Sequence, residues 1–273
     1  MSDASTMAPE WAERVERAGS AVTDWYDWLR TPHPAEPSSA LYGDDLIHAK
    51  QPVRNMAWQG LISATDNLGL LVDSLTTIGA RPVAHFTLAR ASLFAASRTV
   101  WILHPPSRRT RQERALWVAF EDVRNLKNLI ECASANDPTD PGAVASMTHV
   151  ETEIDELKQV ALTKLGLTLN SNGKPKDTDI VTEAAEYLDP SKGDVHRGIM
   201  MFWRIHSGHA HGLSWPNLLK RPPSTFTGPD GQTYNAQTPD HTAIAEAVAA
   251  ATVMTNKAFT LYDERATSHL GEI

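Results

Sequence analysis

Long amphipathic stretches separated by proline-containing breaks constrain this fold more than any other feature of the sequence. Residues 8–30 carry apolar side chains at spacings of three and four, which is the period of one helix face. The following TPHPAEP cannot continue a helix, because each proline lacks an amide donor and restricts the residue before it. Pro105–Pro106 and SANDPTDPG at 134–142 break the chain in the same way. The pattern predicts helices joined by short connections.

The same pattern recurs along the rest of the chain and predicts an all-α fold. Further helices are expected at about 53–78, 82–103, 107–134, 144–165, 178–188, 191–210 and 240–265. Residues 216–239 are broken by prolines and contain a PDG turn, which predicts an irregular loop or a small hairpin. We therefore predict a multi-helix bundle of about seven to nine helices. Residues 1–37, a helix with a proline-rich connector, are expected to be separable as an arm, and residues 38–273 to form a single helical-bundle domain.

Cysteine content and charge exclude several classes of protein. With Cys132 as its one cysteine, the chain can form no internal disulfide and no cysteine-rich zinc module. No run approaches the ~20 consecutive apolar residues of a membrane span, and the acidic N-terminus lacks a secretory pattern, so we expect a cytoplasmic protein with no membrane partner. The net charge of −8 argues against broad affinity for nucleic acid. One basic stretch, PSRRTRQER at 106–114, is expected to be solvated, and the alternative is an anion-binding patch.

The stretch FWRIHSGHAHGLSW is denser in chemically capable side chains than any other part of the chain. Positions seven apart in a helix return to nearly the same angle, so Arg204 and His211 share one stripe, with Ser207 between them. His206 and His209 lie on a neighbouring stripe. If the helix continues through the glycine at 208, the arginine, the serine and the last histidine project together.

Three interpretations of this cluster stay open. An arginine can hold a phosphate in two-point contact while a histidine transfers protons near neutral pH, and such a pair can cleave RNA without metal through the ribose 2′-hydroxyl. Alternatively, His206, His209 and His211 bind a transition metal, although residues 209 and 211 point to opposite sides of a regular helix and no carboxylate is near. In the third interpretation, the histidines are interior or helix-end residues. We predict no metal and no cofactor.

A second polar stripe lies on the helix predicted at 82–103. Arg90 and His104 recur at a multiple of seven, and Arg98 lies at the edge of this stripe. If the two helices pack side by side, their stripes can face each other across a groove suited to an anion. The predicted ligand-binding residues are Arg90, Arg98, His104 and His206. The alternative is a stripe that faces solvent, with arginine stems covering apolar surface.

An all-helical chain with an arginine and a histidine close together on a late helix resembles the HEPN superfamily. The strings Arg204-x4-His209 and Arg204-x6-His211 resemble the Arg-x4–6-His motif of its ribonucleases, and Ser207-x3-His211-Gly212 is similar to the ending of a related helical family. The resemblance implies a homodimer in which both motif copies flank one RNA-binding cleft. It assigns catalysis to Arg204, His209 and His211, with Ser207 as a hydrogen-bonding accessory.

Two functional hypotheses follow from these residues. The first is a HEPN-like, metal-independent ribonuclease that uses an arginine–histidine pair, with RNA as its partner. The second is a non-catalytic interaction protein on a HEPN-like scaffold that binds a protein or an anionic ligand. Phe94 and Ile205 favour the second, because the resemblance leads us to expect a glutamate and a polar residue at these positions. The chain's eight tryptophans also suit an interface.

Overall fold

The predicted all-α, multi-helix bundle is confirmed. The structure, a computed structural model, describes residues 9–188, 193–219, 225–235 and 239–268, and these form nine α-helices and one short hairpin. The helices are α1 Pro9–Leu29, α2 Ala40–Asp45, α3 Val53–Thr77, α4 Ala84–Leu103, α5 Arg108–Ala133, α6 Pro141–Leu165, α7 Asp177–Glu186, α8 Gly193–Ala210 and α9 His241–Ala266. None of these described helices is both long and apolar enough to cross a bilayer.

The observed helix ends lie close to the predicted ones, with two local differences. The sequence pattern misses α2, a six-residue helix whose N-cap Ser39 accepts a hydrogen bond from the amide of Tyr42. Helix α6 begins at Pro141 rather than near residue 144, because Asp140 caps it and proline is well tolerated in a first turn. Both differences arise from capping residues, which leave little trace in the apolar periodicity.

Of the two alternatives predicted for residues 216–239, the small hairpin is present. A 3-10 turn runs over Trp215–Leu219, and strand β1 Thr225–Thr227 pairs antiparallel with β2 Thr233–Asn235. Gly231 in the connecting turn has a positive φ of 74°. The remaining parts of this prediction, residues 220–224 and 236–238, lie outside the described residues.

The chain divides into two compact units. The first comprises residues 1–32, 60–100 and 180–259, and the second comprises 33–59, 101–179 and 260–273, each as far as it is described. In the first unit α1 packs on α3, where the Tyr26 hydroxyl donates a hydrogen bond to Asp66 at 3.2 Å. The predicted division of the chain at residue 37 stays a prediction.

The second unit contains a buried ion pair that involves the basic stretch at 106–114. Arg111 is 3 % exposed and donates from Nε and Nη2 to the fully buried Asp44, at 2.5 and 2.9 Å. Its Nη1 donates to the carbonyls of Pro105 and Pro106. The expectation that this stretch is solvated is therefore wrong for Arg111. A two-point carboxylate contact and two carbonyl acceptors offset the cost of removing the guanidinium from water.

In the first unit, α3 and α4 pack closely and fix the position of α4. A Cβ atom at Gly60 would lie 2.1 Å from the Thr99 hydroxyl oxygen, so only glycine allows this approach. Farther along the two helices, the Ser92 hydroxyl donates to the carbonyl of Ala64 at 2.8 Å. This contact leaves the opposite side of α4 available to α8.

Candidate ligand-binding faces of helix α8

Helix α8 continues through Gly208 and ends at Ala210. The amide of His211 still donates to the carbonyl of Ser207 at 3.1 Å, and Gly212 ends the helix in the left-handed conformation, with a φ of 67°. A Cβ atom at Gly208 would lie 2.6 Å from the ring of Pro216, so glycine is required there for packing. The helix thus continues through the glycine at 208, as the stripe from residue 204 to residue 211 requires.

Helix α8 has two chemically different faces, each of which contacts α4. The arginine face consists of Trp203, Arg204 and Ser207 of α8 together with Arg90, Phe94 and Arg98 of α4. The imidazole face consists of Phe202, His206 and His209 of α8 together with Phe86 of α4. All of these residues belong to the first unit.

On the arginine face, Ser207 joins α4 to α8. Its hydroxyl accepts a hydrogen bond from Arg90 Nε at 2.9 Å and donates to the carbonyl of Trp203 at 2.7 Å. The Arg90 guanidinium lies over the Trp203 ring, 4.2 Å from its centroid. A hydroxyl acceptor and an aromatic face hold this guanidinium in one orientation.

A second guanidinium extends the arginine face along α4. The Phe94 ring stacks on Trp203 with centroids 5.5 Å apart, and the Arg98 guanidinium lies 5.6 Å from the Phe94 centroid. Arg98 is half-buried, and its Nε is buried without a hydrogen-bond acceptor among the described residues. This side chain therefore carries a partly desolvated charge.

Arg204 and His211 are both exposed at the end of α8. Arg204 forms no ion pair with any described residue, whereas Arg197, two turns earlier on the same stripe, pairs with Asp194 at 2.5 Å. Residues three apart are neighbours on a helix surface, so Arg204 lies beside Ser207 on α8. The arginine face thus has three guanidinium groups.

On the imidazole face, two histidines are buried against one phenylalanine. The Phe86 ring stacks on His206 at 4.3 Å and on His209 at 4.8 Å between centroids. Phe202 contacts the His206 ring edge to face at 4.0 Å. His206 and His209 are only 4 % and 5 % exposed. The structure therefore places both histidines in an apolar environment, away from the exposed Arg204.

Burial keeps His206 uncharged. Desolvation lowers the pKa of His206 to about 3, and the neighbouring His209 ring contributes to the same shift. The Nδ1 atom of His206 is buried and has no hydrogen-bond partner among the described residues. A neutral imidazole has one donor and one acceptor nitrogen, so His206 can still make a directional hydrogen bond.

The imidazole face lines a cavity of about 610 Å³. Its walls are formed by α8, by the start of α4, by the 3-10 turn and by α9. Most of the lining side chains are apolar, and α9 contributes the small residues Ala243, Ala249 and Ala250. Among the described residues of the wall, two carry carboxylates, Asp240 and Glu246. Of these, Asp240 caps α9, since its Oδ1 accepts from the amide of Ala243 at 2.9 Å.

The structure brings some of the sequence-predicted site residues together and separates others. Arg90 meets Ser207 directly, and Arg98 joins them through the rings of Phe94 and Trp203. His104 belongs to the second unit. His206, predicted to bind an anion, and His209, predicted to transfer protons, both lie on the buried imidazole face. In the described part of the chain, no three histidine, cysteine, aspartate or glutamate side chains are grouped so that they could hold a metal ion.

Sequence reasoning missed the aromatic partners and the cavity. Phe86 and Trp203 determine the environment of the two faces, yet in the sequence each is one apolar residue in an apolar helix pattern. The alanine-rich stretch AIAEAVAAATVM of α9 predicts close helix packing, and it gives no signal of the cavity that three of its alanines line.

No protein-family model, no curated protein and no solved structure matches this chain.

Proposed function

We propose that this protein binds single-stranded RNA through the arginine face of α8, as a non-catalytic binding protein on a HEPN-like scaffold. The observation that carries the proposal is Arg98, whose half-buried guanidinium lies on Phe94 and has an Nε without an acceptor. A partly desolvated cation without a carboxylate partner costs free energy, and a bound anion recovers part of that cost.

The spacing of the arginines supports an extended anion over a single phosphate group. Arg90 and Arg98 are eight residues apart on α4, which corresponds to about 12 Å along the helix axis. Arg204 adds a third guanidinium beside Ser207 on α8. One phosphate cannot reach all three groups, whereas the backbone of a single strand presents a phosphate at every nucleotide. Because Trp203 is only 3 % exposed, binding through phosphates is favoured over base stacking.

The net charge of −8 limits the affinity that we expect for RNA. Because the protein as a whole repels RNA, any binding that is observed points to a local basic face. We expect weak binding that falls steeply with salt, with a slope of log K against log salt of about −2 if about three phosphates are neutralised. If the arginine face binds a protein instead, RNA binding with this salt dependence will not be observed. Inorganic phosphate should compete only weakly with RNA, because one phosphate cannot contact all three guanidinium groups.

Fluorescence anisotropy with a labelled single-stranded RNA tests this proposal. Arg98→Met keeps the stem over Phe94 and removes the charge, and we expect it to weaken binding by about three- to tenfold. Arg30→Met is the matched control, since Arg30 is an exposed arginine of the first unit that pairs with Asp27 at 2.8 Å. Equal affinities of wild type and Arg98→Met, or no RNA binding by wild type, would overturn the proposal.

A metal-independent ribonuclease is the second candidate. The exposure of Arg204 within α8 and of His211 directly after its last residue favours it, because both groups are accessible to a phosphodiester. The burial of His209 leaves His211 as the accessible proton-transfer group of the motif. An RNA-cleavage assay in EDTA compares wild type with Arg204→Ala and His211→Ala. Cleavage by wild type that both variants lose supports this candidate, and equal activity in all three or none in wild type removes it.

A further inference from the structure

We infer that the cavity of the imidazole face is a second binding site, for a small and mainly apolar molecule that carries no negative charge. The inference is independent of RNA binding, because none of the arginines of the arginine face lines this cavity. It depends on the shape, the charge and the polar group of the cavity.

The cavity has the size and lining of a small-molecule site. Its volume of about 610 Å³ lies within the roughly 300–1,000 Å³ typical of such sites. Phe86, Phe202 and Ile199 are buried in its wall, and the more exposed Met201 and Val253 also line it. Apolar surface of this extent favours a ligand with a hydrocarbon or aromatic body.

One buried polar atom provides orientation. His206 is 4 % exposed, lines the cavity, and has an Nδ1 without a partner among the described residues. An unsatisfied buried polar atom destabilises the unliganded state, and a ligand that hydrogen-bonds to it removes that cost. Since a neutral imidazole can donate or accept, the ligand needs one hydrogen-bonding group on its apolar body.

The charged groups of the wall determine the sign of the ligand charge. Among the described lining residues, Asp240 and Glu246 are the ionisable side chains apart from the histidines, and none is a lysine or an arginine. Glu246 is exposed and forms no ion pair with a described residue. A carboxylate, sulfonate or phosphate on the ligand would be repelled by these two groups, whereas a neutral or basic group would not.

Two fluorescent probes with the same aromatic skeleton test which ligand charge the cavity accepts. N-phenyl-1-naphthylamine is uncharged and has a hydrogen-bonding amine, and 8-anilino-1-naphthalenesulfonate adds a sulfonate to the same rings. We expect the uncharged probe to bind saturably in the cavity, at least about tenfold more tightly than the sulfonate does there. The sulfonate probe can also bind the arginine face. Cavity binding is therefore defined as the part of each probe's fluorescence that a cavity-filling variant removes.

Gly198 offers a clean way to fill the cavity. It lines the cavity within α8, and a Cβ atom built on it meets no other atom within 4 Å. Gly198→Leu should therefore fold and weaken the uncharged probe by about tenfold or more, while the control Gly198→Ala changes its affinity by less than about threefold. Ala250→Met fills the same space from α9 and covers the case in which the first variant does not fold.

His206→Phe tests the polar group while keeping a ring against Phe86. We expect it to weaken the uncharged probe by about fivefold, the value of one ordinary hydrogen bond. The inference is overturned if the uncharged probe does not bind saturably, or if neither filling variant weakens it. It is also overturned if the sulfonate binds in the cavity as tightly as the uncharged probe. Each result can be obtained whether or not RNA binds the arginine face.

Discussion

The two faces of α8 show how one helix accommodates two kinds of basic side chain. On the imidazole face, His206 and His209 are buried against the ring of Phe86. On the arginine face, Arg90 and Arg98 lie over aromatic rings but keep contact with solvent. The difference follows from proton affinity, because an imidazole can enter the core by losing its charge, whereas a guanidinium keeps its charge and needs a buried carboxylate, as Arg111 has in Asp44.

The comparison has a functional consequence. A neutral imidazole in an apolar cavity can orient an uncharged ligand, and a guanidinium held on an aromatic ring can meet a phosphate. Residues in adjacent positions, Phe202 and Trp203, serve the two faces. The direction of each side chain, more than its type, therefore decides to which site it belongs.

The largest expected effect is a loss of stability on substitution of the central residue of the imidazole face. Phe86 is 1 % exposed and stacks on both histidines, so Phe86→Ala should lower the free energy of unfolding by about 3–5 kcal/mol. Phe94→Ala, the matched change on the half-buried arginine face, should cost only about 1–2 kcal/mol. Urea unfolding of both variants gives the difference. Equal costs would mean that the two faces are packed alike.

The next effect concerns the pH dependence of stability. Because burial holds the pKa of His206 at about 3, below its unfolded value, the unfolded state binds the proton more readily. The stabilising contribution is complete above about pH 6.5 and is lost as the pH falls towards 3. His206→Phe should reduce the slope of unfolding free energy against pH in this window by about 1.4 kcal/mol per pH unit.

Urea unfolding at several pH values measures this slope. Burial also lowers the pKa values of His48 and His85, so the His206→Phe variant keeps part of the acid sensitivity of wild type in the same range. The comparison of the variant with wild type isolates His206. Parallel curves for the two proteins would show that His206 is not desolvated in the folded state.

A smaller effect tests the hydrogen bonds that join α4 to α8 on the arginine face. Ser207→Ala removes the acceptor of Arg90 Nε, and we expect a loss of about 1 kcal/mol in unfolding free energy. We also expect weaker RNA binding, because the guanidinium is no longer held in one orientation. A Ser207→Ala variant with unchanged stability and unchanged RNA affinity would show that this contact is incidental.

The smallest effect separates function from stability on the same face. Arg98→Met should change the free energy of unfolding by less than about 0.5 kcal/mol, because the thioether also covers Phe94 and the unsatisfied Nε is removed. The same variant should weaken RNA binding, as described above. Thermal unfolding measures the first quantity, and a large destabilisation would mean that Arg98 serves the fold.

Much of the fold could be predicted from the sequence, since apolar periodicity and prolines are local signals. Helix α8 is an example: it was predicted at about 191–210 and lies at Gly193–Ala210. The environment of its side chains could not be predicted in the same way. Phe202 and Trp203 are both apolar and adjacent. The apolar periodicity therefore does not indicate whether the arginine stripe or the histidine stripe of α8 faces the core.

The candidate site depends on contacts that are distant in the sequence. His206 is buried because Phe86, 120 positions earlier, stacks on it, and the cavity exists because α9 carries alanines opposite α8. The ion pair of Asp44 with Arg111 joins residues 67 positions apart and removes a basic residue from a stretch expected to be solvated. A local sequence pattern cannot indicate contacts between residues so far apart in the chain.

A single titration tests whether the two faces of α8 are separate sites. Labelled single-stranded RNA is titrated into the protein with and without saturating N-phenyl-1-naphthylamine, while anisotropy reports RNA and naphthylamine fluorescence reports the cavity. We predict that both ligands bind together and that the RNA affinity changes by less than about twofold. Displacement of either ligand by the other, or failure of either to bind, would contradict two independent faces.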